Sequence, residues 1–400
     1  MNAAMPNHRL PHIPLRGKNP AMLTFLTLHL SRILRTVWAE LRTLPVPGPR
    51  MIDEIECACS VLLAIVISHQ IGAENVGWAA FSGYMVMRSH VAESFTRGVL
   101  RVIGTLIGAG GALLLAPFLL PSPWLLAFGL MVWGGVTLYF AIVGKRAYAW
   151  LFTGLTFLMV LIEAMEHAGE PIQRFAATRV LEVLAGTIAC VIVSAISTWT
   201  IRRKLPNPDQ TLRAKPVGQP AKQWQATVAK HALTGAIALG LIPAVWLTFG
   251  IPELSQSSIT IFAVMLVPAA ALANGVLSPV SSRVMQRLVG CLAGGFLGGA
   301  ILLLSQHSPV AMTIGLVLGI VIGRHIENGP PATSYAGLQF VLAFLVVLVP
   351  DNYANAALQP GYERLLGILF GMVLLEPVVL AAHLIAQIGR KNQVRSPDGA

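Results

Sequence analysis

Arg97 and Arg101 stand four residues apart at the head of the apolar run "RGVLRVIGTLIG" (97–108), and "RVMQRLVGCLAG" (283–294) repeats the arrangement with Arg283 and Arg287. Where helices begin, such charges add to the positive end of the helix dipole, so four guanidinium groups could concentrate anions. They could equally anchor helix ends at a membrane surface, and Arg88 carries the same two readings. Glu376, in "GMVLLEPVVLAAHL", lies midway along an apolar stretch, and Pro377 behind it frees a backbone carbonyl. A carboxyl group is expensive at that depth, which suits it to carry a proton; a neutral, hydrogen-bonded structural Glu is the alternative. Tyr84, Tyr148, Tyr335 and Gln339 are candidate polar contacts for an aromatic ligand. Glu182 and Glu363 have Arg179 and Arg364 within reach and read as structural ion pairs, and His69 and His383 are candidate proton shuttles whose other reading is satisfied packing residues.

Other chemistries find no residues. There is no H-E-x-x-H, no Ser-His-Asp candidate and no paired-Asp motif, which argues against an enzyme, and no G-x-x-x-x-G-K-[ST] phosphate loop. Cys57, Cys59, Cys190 and Cys291 show neither disulfide nor zinc spacing. No metal and no cofactor is expected. Any active transport must therefore draw on an ion gradient.

The elements that would position these residues follow from composition. Of 400 residues, 55% are hydrophobic and 11% charged, far below the usual quarter. The chain reads as an all-α polytopic membrane protein. Apolar stretches near the ~20 residues needed to cross a bilayer fall at about 55–73, 76–93, 98–120, 123–143, 147–166, 177–201, 226–250, 256–275, 284–306, 309–323, 331–349 and 364–387, about twelve helices. With both termini in the cytoplasm, all of the 28 Lys and Arg residues except Arg174, Arg179 and Arg364 lie in cytoplasmic segments or adjoining helix ends. That bias accounts for the net charge of +11 without a nucleic-acid partner.

Near the N-terminus, Arg16 and Lys18 precede an apolar run without a small-residue cleavage site. Instead Met22, Leu26, Leu30, Ile33, Val37, Leu41 and Leu44 recur at helical spacing opposite Thr24, Thr27, Ser31, Arg35 and Arg42. That pattern predicts an amphipathic helix lying on the cytoplasmic leaflet or packing on a partner.

Two halves echo each other. Arg101, Gly104 and Gly108 match Arg287, Gly290 and Gly294 at an offset of 186. "AYAWLFTGLTFLMVLI" from 147 matches "SYAGLQFVLAFLVVLV" from 334 at 187, and Glu182 with Gly186 matches Glu363 with Gly367 at 181. Six helices per half predict two parallel repeats. The expected organisation is a basic cytoplasmic segment (1–50), a first repeat (51–201), a Pro- and Gln-rich cytoplasmic linker (202–224), a second repeat (225–388) and a cytoplasmic tail (389–400). Small residues four apart let helices approach in lipid, which assigns Gly104 with Gly108, Gly290 with Gly294, and Gly367 with Gly371 to packing. A glycine-lined pore is the other reading.

The segment "GWAAFSGYMVMRSHVAESFTRGVLRVIGTLIGAGGALLL" (77–115) resembles the hallmark of the fusaric acid resistance and aromatic acid exporter superfamily: a Trp-Ala-Ala opening, a basic turn, then R-x-x-G-x-x-x-G. "HALTGAIALGL" from 231, "SYAGLQFVLAFLVVLV" from 334 and "YERLLGILFGMVLLEP" from 362 agree, so the likeness runs from about 52 to 387. It implies a bacterial inner-membrane exporter of weak aromatic carboxylic acids driven by the proton motive force, in some relatives with a periplasmic adaptor and an outer-membrane channel. A passive organic-anion channel, a structural protein of the cell envelope and a homo-oligomer are left open. Larger members carry a substantial cytoplasmic domain where this chain has only its short linker.

Overall fold

The computed structural model describes residues 20–44, 48–88, 90–204, 221–272, 277–306, 308–349 and 358–395. Every regular element among them is helical: α1 (Pro20–Leu41), α2 (Pro49–Gln70), α3 (Val76–Val86), α4 (Val91–Leu119), α5 (Pro123–Val143), α6 (Ala147–Glu166), α7 (Ile172–Thr200), α8 (Ala221–Gly240), α9 (Ile242–Phe249), α10 (Leu254–Met265), α11 (Ala269–Leu272), α12 (Leu277–Leu304), α13 (Pro309–Glu327), α14 (Pro331–Leu348) and α15 (Leu358–Arg395). Proline opens α2, α5, α13 and α14, where its missing N–H has no helical partner to lose. Large apolar side chains point outward, among them Trp124, Trp199, Phe296 and Leu304. This is a multi-pass membrane protein.

The span count differs from the expected twelve. Nine helices among the described residues are long and apolar enough to cross a bilayer, α8 and α9 counting as one. The spans expected at 76–93 and 256–275 are α3 and α10, of 11 and 12 residues, or ~16–18 Å at 1.5 Å per residue. Hydropathy runs on through Met87 and Leu266, but the helices stop there, and the backbone leaves helical geometry (ψ 129° and 64°). The expected span at 55–73 is α2, long enough to cross but carrying Asp53, Glu54 and Glu56. At the junction of the halves, α8 already begins at Ala221, within the expected linker, most of which (205–220) lies outside the described residues. The last helix runs on to Arg395, into the expected tail.

Matching elements meet in matching ways. α4 packs on α6 and α12 on α14; α3 packs on α7 and α10 on α15; across the halves, α2 meets α13 and α5 meets α8. A Cβ on Gly104 or Gly290 would collide with the carbonyl of Ala149 or Ala336, and one on Gly108 or Gly294 with that of Thr153 or Phe340. Four carbonyls of the facing helices thus occupy the space that side chains would need. By contact, the partner of Gly186 is Gly371 rather than Gly367, an offset of 185. Gly186 lies against Ala79 and Ser82, Gly371 against Ser257 and Thr260. Gly367 instead faces the Glu253 carbonyl.

The collision at Gly294 is with backbone, which cannot rotate away, so Gly294→Ala should cost ~1–3 kcal/mol of overpacking strain. Nothing lies within 4 Å of a Cβ on Gly110, so Gly110→Ala should be neutral or stabilising. Thermal unfolding in detergent compares the two; equal midpoints would refute the packing role.

Candidate functional site

One cavity of about 550 Å³ lies between the two sets of helices. Arg88, Arg97, Arg101, Tyr148, Arg283, Arg287, Tyr335 and Gln339 all line it. The breaks after α3 and α10 make room, as paired interruptions do in other membrane carriers. The close approach at Gly104 and Gly290 brings α6 and α14 near enough for the tyrosines to meet the arginines.

The contacts come in two similar sets. In the first half, the Arg97 guanidinium sits over the Tyr148 ring at 4.2 Å. Arg101 donates from Nη1 to Tyr148 Oη (3.5 Å) and from Nη2 to Ser82 Oγ (2.9 Å), with its guanidinium 3.9 Å above the Phe152 ring. In the second, Arg283 sits over Tyr335 at 4.7 Å and donates to the Ala263 carbonyl (3.1 Å). Arg287 donates from Nη1 to Tyr335 Oη (3.5 Å) and Gln339 Oε1 (2.6 Å), and from Nη2 to Thr260 Oγ1 (3.0 Å). Gly186 and Gly371 press against Ser82 and Thr260, the residues that receive the arginines.

Arg101 and Arg287 are each only 3% exposed, so they are buried cations rather than a surface funnel. None of the five arginines forms an ion pair with a carboxylate among the described residues. The Nε atoms of Arg97, Arg101 and Arg287 are buried without a partner. Buried charge is normally paired because desolvation costs several kcal/mol per ion. Aromatic and hydroxyl groups soften that cost here without neutralising the charge, which leaves a site complementary to an anion.

Two expected residues lie elsewhere. Tyr84 is fully buried outside the cavity lining, with its hydroxyl donating to the Glu327 carboxylate. Glu376 is half-buried in α15 and does not line the cavity. Arg179 pairs with Glu182 (3.1 Å), as expected, and also with Glu163 (2.7 Å), while its guanidinium lies over Trp78 at 4.6 Å. Glu363 accepts from Gln359 (3.0 Å). His383 meets Gln387 (2.8 Å). On α1 the predicted stripe is split: Ile33 is buried while Leu30 faces out with Leu34 and Trp38, and the helix packs on α12, α13 and α14.

Other cavity residues were not anticipated, among them the walls Trp78, Phe81 and Phe152 and the pair Arg324 and Glu327. Arg324 is held by Asp53 through Nε (2.7 Å) and Nη2 (3.4 Å) and donates from Nη1 to Glu327 (3.2 Å). The neighbouring acids of α2 are met as well: Glu54 by His325 Nδ1 (2.7 Å), and Glu56 by Arg202 Nε (2.7 Å) and the Ser197 hydroxyl. The acidic run "DEIE" at 53–56 was a signal for this, since three acids entering an apolar helix require partners.

The model of the fusaric acid resistance protein family matches residues 56–214, and that of the fusaric acid resistance protein-like family matches 242–376. The chain belongs to the fusaric acid resistance family. It is 29% identical over 152 residues to the p-hydroxybenzoic acid efflux pump subunit AaeB of Salmonella heidelberg, covering 35% of this chain and 23% of that protein. It is 28% identical over 153 residues to the protein of the same name from Salmonella arizonae, with the same coverage. The match thus spans about a quarter of these relatives' length. No solved structure matches.

Proposed function

We propose that this family member is an inner-membrane efflux transporter for weak aromatic carboxylic acids, with both termini in the cytoplasm and the cavity lying between two parallel repeats. The observation that carries the reading is the set of five arginines, unpaired by carboxylates among the described residues, in a cavity walled by Trp78, Phe81, Phe152 and two tyrosines. Such a site offers charge for a carboxylate and rings for a ring. The relatives named for p-hydroxybenzoic acid efflux supply the direction and substrate class. Leaving a negative interior gains an anion ~2.3 kcal/mol per 100 mV, and an inward proton would add to that drive. Glu376, an ionisable group in a membrane helix, is the proposed proton carrier.

Efflux of labelled p-hydroxybenzoate from proteoliposomes tests this. Efflux above that of protein-free vesicles is expected, rising with an imposed pH gradient at fixed potential, and Glu376→Gln should lose that rise. Efflux that follows potential alone would make the protein a passive anion channel. No efflux of any aromatic acid would refute the reading.

A further inference from the structure

Among the described residues that line the cavity, Glu327 is the only acidic one. It ends α13, and its carboxylate accepts from Arg324 Nη1 (3.2 Å) and from the Tyr84 hydroxyl of α3. The charged and titratable groups around it are Arg324 on its own helix, Tyr84 and Arg88 at the end of α3, and Asp53 and Cys57 on α2. The donors of Arg324 are not equivalent. Nε and Nη2 are fixed by Asp53, and Nη2 also reaches the Met87 carbonyl (3.4 Å). Nη1 has Glu327 alone.

Among the described residues, an anion entering this cavity meets six arginines, five without a carboxylate and one whose Nη1 is already occupied by a carboxylate of the protein. We infer that Glu327 is a tethered competitor of the exported anion: it sits on Arg324 Nη1 in the empty cavity and yields that nitrogen when the ligand's carboxylate arrives. The inference rests on the export reading and adds an affinity-setting residue to it. Asp53 keeps the guanidinium in place throughout, so only the Nη1 contact is exchanged. The displaced carboxylate stays in a positive cavity, with Arg88 beside it, so its charge remains compensated. No bond is made or broken beyond hydrogen bonds, and no proton need be transferred.

A built-in competitor raises the ligand's dissociation constant and, by weakening the bound state, speeds release. Glu327→Gln removes the competing charge while its amide oxygen still accepts from Tyr84, so the local packing survives. The test is equilibrium binding of a hydroxybenzoate to the purified full chain, with export kinetics in proteoliposomes. The expected result is at least roughly tenfold tighter binding in Glu327→Gln, as removal of a competing charge at a desolvated site implies, with KM and kcat both falling. Glu327→Asp, charged but one methylene shorter, should bind with intermediate affinity and serves if the first variant does not fold. Binding in these variants equal to or weaker than wild type would overturn the inference while leaving the export reading intact. A wild-type protein that binds no aromatic acid would instead remove the export reading, and this inference with it.

Discussion

Arg101→Met should reduce export sharply while leaving the protein at least as heat-resistant as the parent. The two halves of that result have separate causes. Loss of one partner from a desolvated, hydrogen-bonded charge pair costs ~2–5 kcal/mol, which raises the half-saturating acid concentration about 30-fold or more. Folding loses little, because Arg101 has no carboxylate to strand. Its two acceptors keep other bonds: Ser82 Oγ donates to the Trp78 carbonyl (3.0 Å) and Tyr148 Oη to the Met85 carbonyl (3.4 Å). Removing an uncompensated buried charge relieves its desolvation, and methionine retains packing against Phe152. Arg287→Met should lose export too, but it leaves buried Gln339 Oε1 without its donor and should be less stable than Arg101→Met by ~1–3 kcal/mol. Transport assays and thermal unfolding of the same preparations check both. Wild-type export in Arg101→Met would remove this residue from the site, and early unfolding would make it structural.

The second large effect belongs to Asp53. Arg324 is only 3% exposed and its anchoring carboxylate is Asp53, so Asp53→Ala leaves a buried guanidinium held by Glu327 and the Met87 carbonyl without its main counter-charge. Breaking a buried pair from one side costs ~3–5 kcal/mol. Because α2 and α13 lie in different halves, the loss should appear as separation of the halves rather than fraying of one helix. Adding Arg324→Met to Asp53→Ala should restore much of the stability, since the stranded charge is then gone, and a double-mutant cycle by thermal unfolding measures the coupling. Strictly additive losses would show that the pair does not hold the halves together.

Much of the site was legible in the sequence because both halves spell it. Arginine followed three and seven residues later by glycine, and tyrosine near the head of the second long helix after it, recur at nearly one offset, so Arg101, Arg287, Tyr148 and Tyr335 stand out in the sequence itself. The asymmetry between Phe152 and Gln339 was visible only in part, since Gln339 was picked out for its polarity and Phe152 was not. The helix breaks were hidden for a physical reason: the chain stays apolar through Met87 and Leu266, and hydropathy reports solvent rather than backbone conformation. Tyr84 was picked out for its polarity, and its bond to Glu327, far along the chain, had no local spacing to announce it. Arg324 looked like a cytoplasmic anchor, since its partner Asp53 is 271 residues away and no local spacing links them. Gly186 drew its partner from sequence identity, whereas the contact that requires glycine is the one beside the hydroxyl that receives the arginine.

The measurement that bears most directly on the central claim is equilibrium binding of a hydroxybenzoate and of its methyl ester to the purified protein, at a pH where the acid is ionised. The ester keeps the ring and lacks the charge. If the unpaired arginines are the site, the acid binds, the ester binds at least roughly 30-fold more weakly, and Arg101→Met abolishes the difference. Equal binding of acid and ester would mean that the cavity recognises rings alone and that its arginines serve another purpose.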